Sequence, residues 1–335
     1  MAKNVNVTRF FPEGHVSYPV SRLKIAFDQP MVSVGTVDDV ADEFAKTGIK
    51  IQPEAKGDWR WSGTKLCQFM AEHRFRYSSE YKVTVPKGLK SALGGSLEND
   101  ASFSFSTPLV QISSFSAFPR LCLDPVVCVT FNQDVKKDVI YKQMNLMSRS
   151  GDKAKMEVID PSDEKALSDH KGISEQQKKH IKSFWQLQGE VGQARAICLR
   201  FTSELKKGST YTWAIPSNTV MGEGPLPTRS ALSSSFSTYP ELKITNHYPS
   251  PSHRYASNYP GTEWTVSFST QLDRRSIRRE HFEISPKLTG VKLSVQGSYV
   301  RISHDPAEVG KCYKLKVSRE IFDKWGQKLT VVLSP

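Results

Sequence analysis

The chain has no apolar run approaching the roughly 18 to 20 residues that a membrane-spanning helix needs. Its opening residues, Met1-Ala2-Lys3-Asn4-Val5-Asn6, also lack the apolar stretch of a secretion signal. No transmembrane segment or signal peptide is therefore read, and the expectation is synthesis in the cytosol or a piece of something larger. Cysteine is sparse. Cys67, Cys122, Cys128, Cys198 and Cys312 are odd in number, so at least one thiol is unpaired. None stands in a Cys-x-x-Cys with a second pair or histidine partners, the spacing that zinc requires. No metal site follows.

Catalytic signatures are equally short. There is no Gly-x-Ser-x-Gly elbow, phosphate-cradling Gly-x-x-x-x-Gly-Lys loop, His-Glu-x-x-His or calcium loop, and the eight histidines are scattered. His180 reads as a solvated residue of a helix. Ser21-Arg22-Leu23-Lys24 and Lys46-Thr47-Gly48 resemble pieces of a penicillin-binding site. The serine pattern needs a helix to bring serine and lysine to one face, however, and here it falls on a strand, where a three-residue offset sends the two side chains to opposite faces. No catalytic or cofactor-binding residue is assigned, no cofactor is expected, and the chain is read as not an enzyme.

What is present is repetition. Ile25-Ala26-Phe27-Asp28-Gln29 recurs as Val129-Thr130-Phe131-Asn132-Gln133 and as Val266-Ser267-Phe268-Ser269-Thr270. An apolar pair and a proline precede each copy: Val5, Val7 and Pro12; Val110, Ile112 and Pro119; Leu242, Ile244 and Pro249. A tyrosine-centred segment follows each, around Tyr81, Tyr211 and Tyr313, and then a glycine–leucine turn at Gly95 and Leu97, Gly224 and Leu226, Gly326 and Leu329. Phe105-Ser106-Thr107-Pro108 and Phe236-Ser237-Thr238-Tyr239-Pro240 close the first two copies. Four features in one order define three modules, 1–108, 109–240 and 241–335.

Each module reads as two antiparallel sheets packed face to face. Leu23, Ile25 and Phe27 alternate with Arg22, Lys24 and Ala26, and Tyr81, Val83 and Val85 alternate with Lys82 and Thr84, the period of a half-buried strand. Prolines and glycines punctuate these runs about every ten residues. The same alternation places Val127, Val129 and Phe131 on the buried face and turns Cys128 outward. A bridge from Cys128 to Cys122, across the turn at Asp124-Pro125, and free thiols both remain open.

The second module carries an insertion. Phe131 to Tyr211 is 80 residues, against 54 from Phe27 to Tyr81 and 45 from Phe268 to Tyr313. The surplus falls at about 160–185, where Ser162 and Ser174 read as caps of one or two short helices. This polar loop is either a passive elaboration or a docking surface. Short linkers at Pro108 to Val110 and Pro240 to Leu242 predict separable modules, with first proteolysis around Lys171 to Lys182.

The formal net charge of +12 is spread unevenly, at +2, +4 and +6 over the three modules in order. Its sharpest cluster is Arg274, Arg275, Arg278 and Arg279. This is either a solvated turn or a contact for an anionic glycan, lipid or other anionic partner. No nucleic-acid motif accompanies it. Tyr255, Tyr259 and Trp264 form an aromatic group that reads either as a stacking platform for a sugar or as a core tryptophan with loop tyrosines.

The runs Arg9-Phe10-Phe11-Pro12-Glu13-Gly14, Ile25-Ala26-Phe27-Asp28-Gln29-Pro30-Met31-Val32, Gly57-Asp58-Trp59-Arg60-Trp61-Ser62-Gly63-Thr64 and Tyr81-Lys82-Val83-Thr84-Val85-Pro86 with Gly94-Gly95-Ser96-Leu97 resemble the N-terminal region of bacterial-type alpha-2-macroglobulins. The resemblance implies an all-β chain of tandem immunoglobulin-like, macroglobulin-type sandwiches with a helical insertion in the second. It also implies a cell-envelope, periplasmic or extracellular setting, and protein partners: the rest of a larger inhibitor, or a protease. The Cys-x-Glu-Gln thioester and a bait segment are missing, so the expected role is the non-catalytic wall of a protease trap. The alternative is a surface adhesion or glycan-binding array.

Overall fold

The computed structural model describes residues 4–33, 47–151, 153–249 and 261–330. Tyr255 and Tyr259, two members of the aromatic group, lie outside the described residues. The fold is all-β: tandem antiparallel sandwiches, each built from strands of one stretch of chain.

The first stretch contributes β1 (Val7–Phe11), β2 (Gly14–His15), β3 (Arg22–Phe27), β4 (Lys50–Gln52), β5 (Gly57–Trp61), β6 (Leu66–Ala71), β7 (Glu80–Val85) and β8 (Ala101–Ser106). They form sheets ordered β1-β3-β6-β5 and β2-β8-β7-β4. Leu23, Ile25 and Phe27 alternate inward on β3 and meet Val83, Val85, Phe103 and Phe105 of the other sheet in one core. Each such side chain removed from water contributes about 1.5–3 kcal/mol, and this drives the two sheets together. Phe75 sits at the centre, edge-on to Tyr81 and Phe105 at 4.9 and 5.2 Å.

The second stretch supplies β9 (Ile112–Phe118), β10 (Val126–Phe131), α1 (Lys137–Gln143), β11 (Asn145–Ser148), β12 (Met156–Ile159), α2 (Glu164–Asp169), α3 (Glu175–Gln193), β13 (Ala196–Phe201), β14 (Thr210–Ile215) and β15 (Leu232–Ser237). Its sheets run β9-β10-β13-β12 and β11-β14-β15. The third supplies β16 (Ile244–Tyr248), β17 (Trp264–Phe268), β18 (Phe282–Ser285), β19 (Lys292–Gln296), β20 (Tyr299–Ser303) and β21 (Lys314–Val317), in sheets β16-β17-β20-β19 and β18-β21.

The larger sheets share one order: an opening strand, the repeated strand, then a hairpin whose later strand pairs first. In the first and third sandwiches that hairpin turns over residues 62–65 and 297–298. In the second it is interrupted by residues 160–195, and the insertion lies there. Ser174 caps α3 with a capping box shared with Gln177, as its sequence announces. The cap of α2 is Asp163, not Ser162, whose hydroxyl turns instead to Asp160 at 2.6 Å. The helix α1 is unannounced.

The insertion is not a polar loop. Leu167 of α2, Ile173, and Ile181 of α3 are 5% exposed or less and form a second core with Val126, Cys128, Ile159 and Cys198 on the outer face of the sheet. Every residue of β10 is consequently buried. Cys128 does turn away from the sandwich interior, but into this second core and not into water, so the expectation that it faces outward to solvent is corrected. His180, expected to be solvated, stacks on Phe118 with centroids 4.3 Å apart, and burial lowers its pKa. None of the five cysteines is joined in a disulfide, and no bridge links Cys122 to Cys128.

Local signatures recur with the repeat. Tyr81, Tyr211 and Tyr313 each accept, through the phenol oxygen, a hydrogen bond from the backbone N–H five residues earlier, of Arg76, Lys206 and Glu308, at 3.1, 2.9 and 3.1 Å. The hydroxyls of Thr107 and Thr238, in the closing Phe-Ser-Thr motifs, donate to the same corners at Arg76 O and Lys206 O, both at 2.7 Å. After the repeated strand, Asp28, Asn132 and Ser269 each accept from a backbone N–H of the opening segment, of Asn6, Gln111 and Lys243, at 2.9 Å. These bonds satisfy backbone groups that leave the ladders at each end of a sandwich.

By residue contacts the chain forms two compact units. One comprises Met1–Pro119, Pro125–Thr202 and Thr212–Ser235, and holds the first sandwich with most of the second. The other comprises Arg120–Asp124, Ser203–Tyr211 and Phe236–Pro335, and holds the third sandwich.

Candidate functional site

The four arginines fall on two single-turn 3-10 helices, Arg274–Ser276 and Arg279–His281. Asp273 caps the first by accepting from Arg275 N at 2.9 Å, and Ser276 Oγ ties it to the Phe322 carbonyl at 3.1 Å. Arg274, Arg275, Arg278 and Arg279 are all exposed. Arg279 Nη1 donates to the Phe282 carbonyl at 2.5 Å, and Arg278 stands 3.9 Å from Glu280. The turn is held rigidly and its basic ends face solvent.

Trp264 is on β17 opposite Ile302, half-buried against the third core. His304 at 5.0 Å and Tyr313 at 6.3 Å meet its ring in T-shaped contacts. That is the packing of a core-edge tryptophan.

The most elaborate polar arrangement was not singled out in the sequence. It lies within the first unit, where Gly222-Glu223-Gly224 meets the corner Arg74–Ser79. Glu223 is only 11% exposed in its side chain. Its carboxylate accepts two hydrogen bonds from the Arg74 guanidinium, at 2.5 and 2.8 Å, and one from Tyr77 N at 3.0 Å. Asp134 N approaches it at 3.4 Å, and Arg76 donates to the Glu223 carbonyl. Beside it Gln133, fully buried, accepts from Ser78 Oγ at 3.0 Å and Glu223 N at 3.1 Å, and donates to the Pro108 carbonyl at 3.3 Å. Arg74 also lies 3.9 Å over the Tyr77 ring.

Burial alone would push the Glu223 pKa up. The hydrogen bonds from Arg74 and Tyr77, with the Arg74 charge, outweigh burial and hold it below the ordinary carboxylate value. Arg74 is raised in turn, chiefly by its hydrogen bond to Glu223. The glycines on either side are required by contact: a Cβ at Gly224 would collide with Ser79 Oγ and the Ser78 carbonyl, and one at Gly222 with Gln133 Oε1 and Ser78 Oγ. Thr107 and Val110, at 0% and 4% exposure, flank the same joint. The segment 108–110 is therefore packed into this joint and is no free linker.

Alongside the joint runs an open groove of about 440 Å³, with His15, Glu80 and Arg229 on its walls. It presents both signs of charge. Among the described residues no group of three or more acidic, cysteine or histidine side chains converges as a metal site. No described helix is long and apolar enough to cross a membrane.

The architecture defines the class, tandem antiparallel β-sandwiches. The sequence matches no family model and no curated protein. Similar solved structures include an Escherichia coli alpha-2-macroglobulin fragment spanning domains MG0-NIE-MG1, 13% identical over 99% of this chain and 97% of that one, with a TM-score of 0.23. An L,D-transpeptidase from Mycobacterium smegmatis is 13% identical over 47% of this chain and 60% of that one, at 0.23. The N-terminal part of the bacterial S-layer protein SbsC is 11% identical over 71% and 44%, at 0.21.

Proposed function

We propose that this chain is a non-enzymatic scaffold, a stack of β-sandwiches serving as a wall and interaction region of an alpha-2-macroglobulin-like inhibitor at the cell envelope, with protein partners. The observation that carries this reading is the joint at Glu223. A buried carboxylate, a buried glutamine and two contact-limited glycines are all committed to fixing one sandwich on the next. An array whose task is to hold other domains in place needs that stiffness, and an enzyme would set such groups around a substrate cleft.

Two measurements on the full chain test the reading. Spin labels at Lys82→Cys and Arg149→Cys, in a Cys312→Ser background, should give a single narrow distance distribution; a broad or multiple one overturns the rigid array. Intact mass after exposure to a panel of proteases and to methylamine should show no covalent adduct. Methylamine incorporation with release of a thiol, or turnover of ester, peptide or glycoside substrates, overturns the non-enzymatic part.

A second reading, contact with an anionic glycan or envelope surface, is favoured by the exposure of Arg274, Arg275, Arg278 and Arg279 on their anchored turns. Saturable, salt-sensitive binding to a sulphated glycan that is lost when all four are replaced by glutamine would support it. If binding instead depends on Trp264, the contact is a stacking platform.

A further inference from the structure

Cys128 and Cys198 are directly opposite each other in the β10–β13 ladder. Directly opposed residues of an antiparallel pair lie about 4.5–5.5 Å apart at Cα, within the window of about 4.4–6.8 Å that a disulfide spans. Ladder partners also share a face, and this pair shares the face covered by the insertion. Both are 0% exposed in the second core. Cys67, by contrast, faces Ile25 and Trp61 across its ladders.

The cover over the pair is a strap. Residues 160–195 leave β12 and return to β13, so the strap is tethered at both ends to the strands it hides. It is pinned by Leu167, Ile173 and Ile181 and by a polar latch at its flank. In that latch Arg200 grips Glu157 at 2.6 and 2.7 Å, with His170 3.5 Å from the same carboxylate. Gly172 packs against the Arg200 guanidinium so closely that a Cβ there would collide with it. Burial raises the Cys198 pKa, and this keeps the thiol unreactive while the strap is closed.

We propose that Cys128 and Cys198 are a modification site, a cross-strand thiol pair that is oxidised by a small-molecule disulfide when the strap lifts. One thiol loses its proton to solvent and attacks the reagent disulfide, forming a mixed disulfide and expelling one reagent thiolate. The second thiolate attacks the cysteine sulfur of that mixed disulfide, closing Cys128–Cys198 and expelling the other. Two electrons pass to the reagent, which leaves as two thiols. The geometry is set by the ladder and the rate by the strap.

The test uses the full chain and oxidised glutathione. Tryptic cleavage leaves Cys198 in peptide 196–200 and Cys128, with Cys122, in peptide 121–136. The expected product has lost two hydrogens and joins these two peptides. The link persists in Cys122→Ser and is absent in Cys128→Ser. Ile181→Ala and, independently, Leu167→Ala, each checked for native circular dichroism, should speed closure by about tenfold or more, since each removes a buried side chain that holds the strap. A glutathione adduct that never resolves, a link through Cys122, or a rate indifferent to both strap variants overturns the proposal.

Discussion

Replacing Glu223 by alanine should uncouple the first sandwich from the second. The carboxylate takes three hydrogen bonds of 3.0 Å or less, two from a guanidinium, with its side chain 11% exposed and that of Arg74 25% exposed. Breaking a fully buried pair from one side costs about 3–5 kcal/mol, and an exposed pair is worth about 0–1 kcal/mol. Arg74 keeps partial access to water and rests on Tyr77, so it can be resolvated, whereas Tyr77 N loses its acceptor. The expected loss therefore lies between the limits, at about 2–3 kcal/mol for Glu223→Ala. Glu223→Gln keeps the volume and part of the bonding but not the charge, and should cost about 1–2 kcal/mol. A double-mutant cycle with Arg74→Ala should return a coupling of about 1–2 kcal/mol. The assay is urea unfolding of the full chain, followed by hydrogen exchange resolved by peptide. Amides of β3 and β6 should open separately from those of β10 and β13 in Glu223→Ala, and together with them in the parent. A change below about 0.5 kcal/mol, or protection lost equally in β17 and β20 of the other unit, would refute the view that this carboxylate fixes the joint. The pH dependence has a definite sign. Because the folded pKa lies below the unfolded one, the stabilisation is present above the ordinary glutamate range and is lost as pH falls through the lowered folded value. Acid should thus reproduce the alanine variant.

The two glycines of opposite kind separate contact from conformation. Gly224→Ala should loosen the joint by colliding with the Ser78 backbone, whereas Gly63→Ala, at φ +84 with open space around it, should cost only about 1 kcal/mol of backbone strain, as read by urea unfolding. Tyr81→Phe and Tyr211→Phe should each cost about 1–2 kcal/mol by stranding a backbone N–H, and Tyr313→Phe less, since its donor Glu308 is exposed. Limited proteolysis with a broad-specificity enzyme should cut beside Leu187, 85% exposed, and Gly189, where α3 loses helical geometry, before it cuts between Ile173 and Trp185. Mass mapping of the first fragments decides, and early cleavage at Lys171 to Lys182 would restore the sequence expectation of a loose loop.

The strands were readable because their chemistry is periodic. Leu23, Ile25 and Phe27 face one core, so polar residues must alternate with them, and the same constraint acting three times leaves a visible repeat. The tyrosine-centred segments and the closing Phe-Ser-Thr motifs were readable as repeats for a related reason, since one hydroxyl serves one fixed loop geometry. That Thr107 and Thr238 bond to the tyrosine corners emerges only from the structure. The second core was not read, although Val126-Val127-Cys128-Val129 carried its signal. A run with no polar alternation is what two-sided burial produces. Ile181, Phe184 and Trp185 fall at helical spacing, but the lysines and glutamines around them masked the stripe. Glu223 and Gln133 were passed over because a carboxylate and an amide normally mark the surface, and only their partners, distant in sequence, make burial tolerable. The flanking Gly222 and Gly224 were the local hint.

The strap over β10 and β13 also bears on what can be cut away from this protein. The first and third sandwiches close the corresponding hairpin in a few residues, so deleting 160–195 in favour of a short turn looks like a neutral simplification of the second. It would instead lay bare Val126, Cys128, Ile159, Cys198 and the ring of Phe118, a dry strip on strands that already pair side by side. Such a surface seeks a replacement cover, and the nearest one is the same strip on another chain. The trimmed protein should therefore gather into soluble oligomers or precipitate, and its solubility should return when Val126 and Ile159 are replaced by threonine.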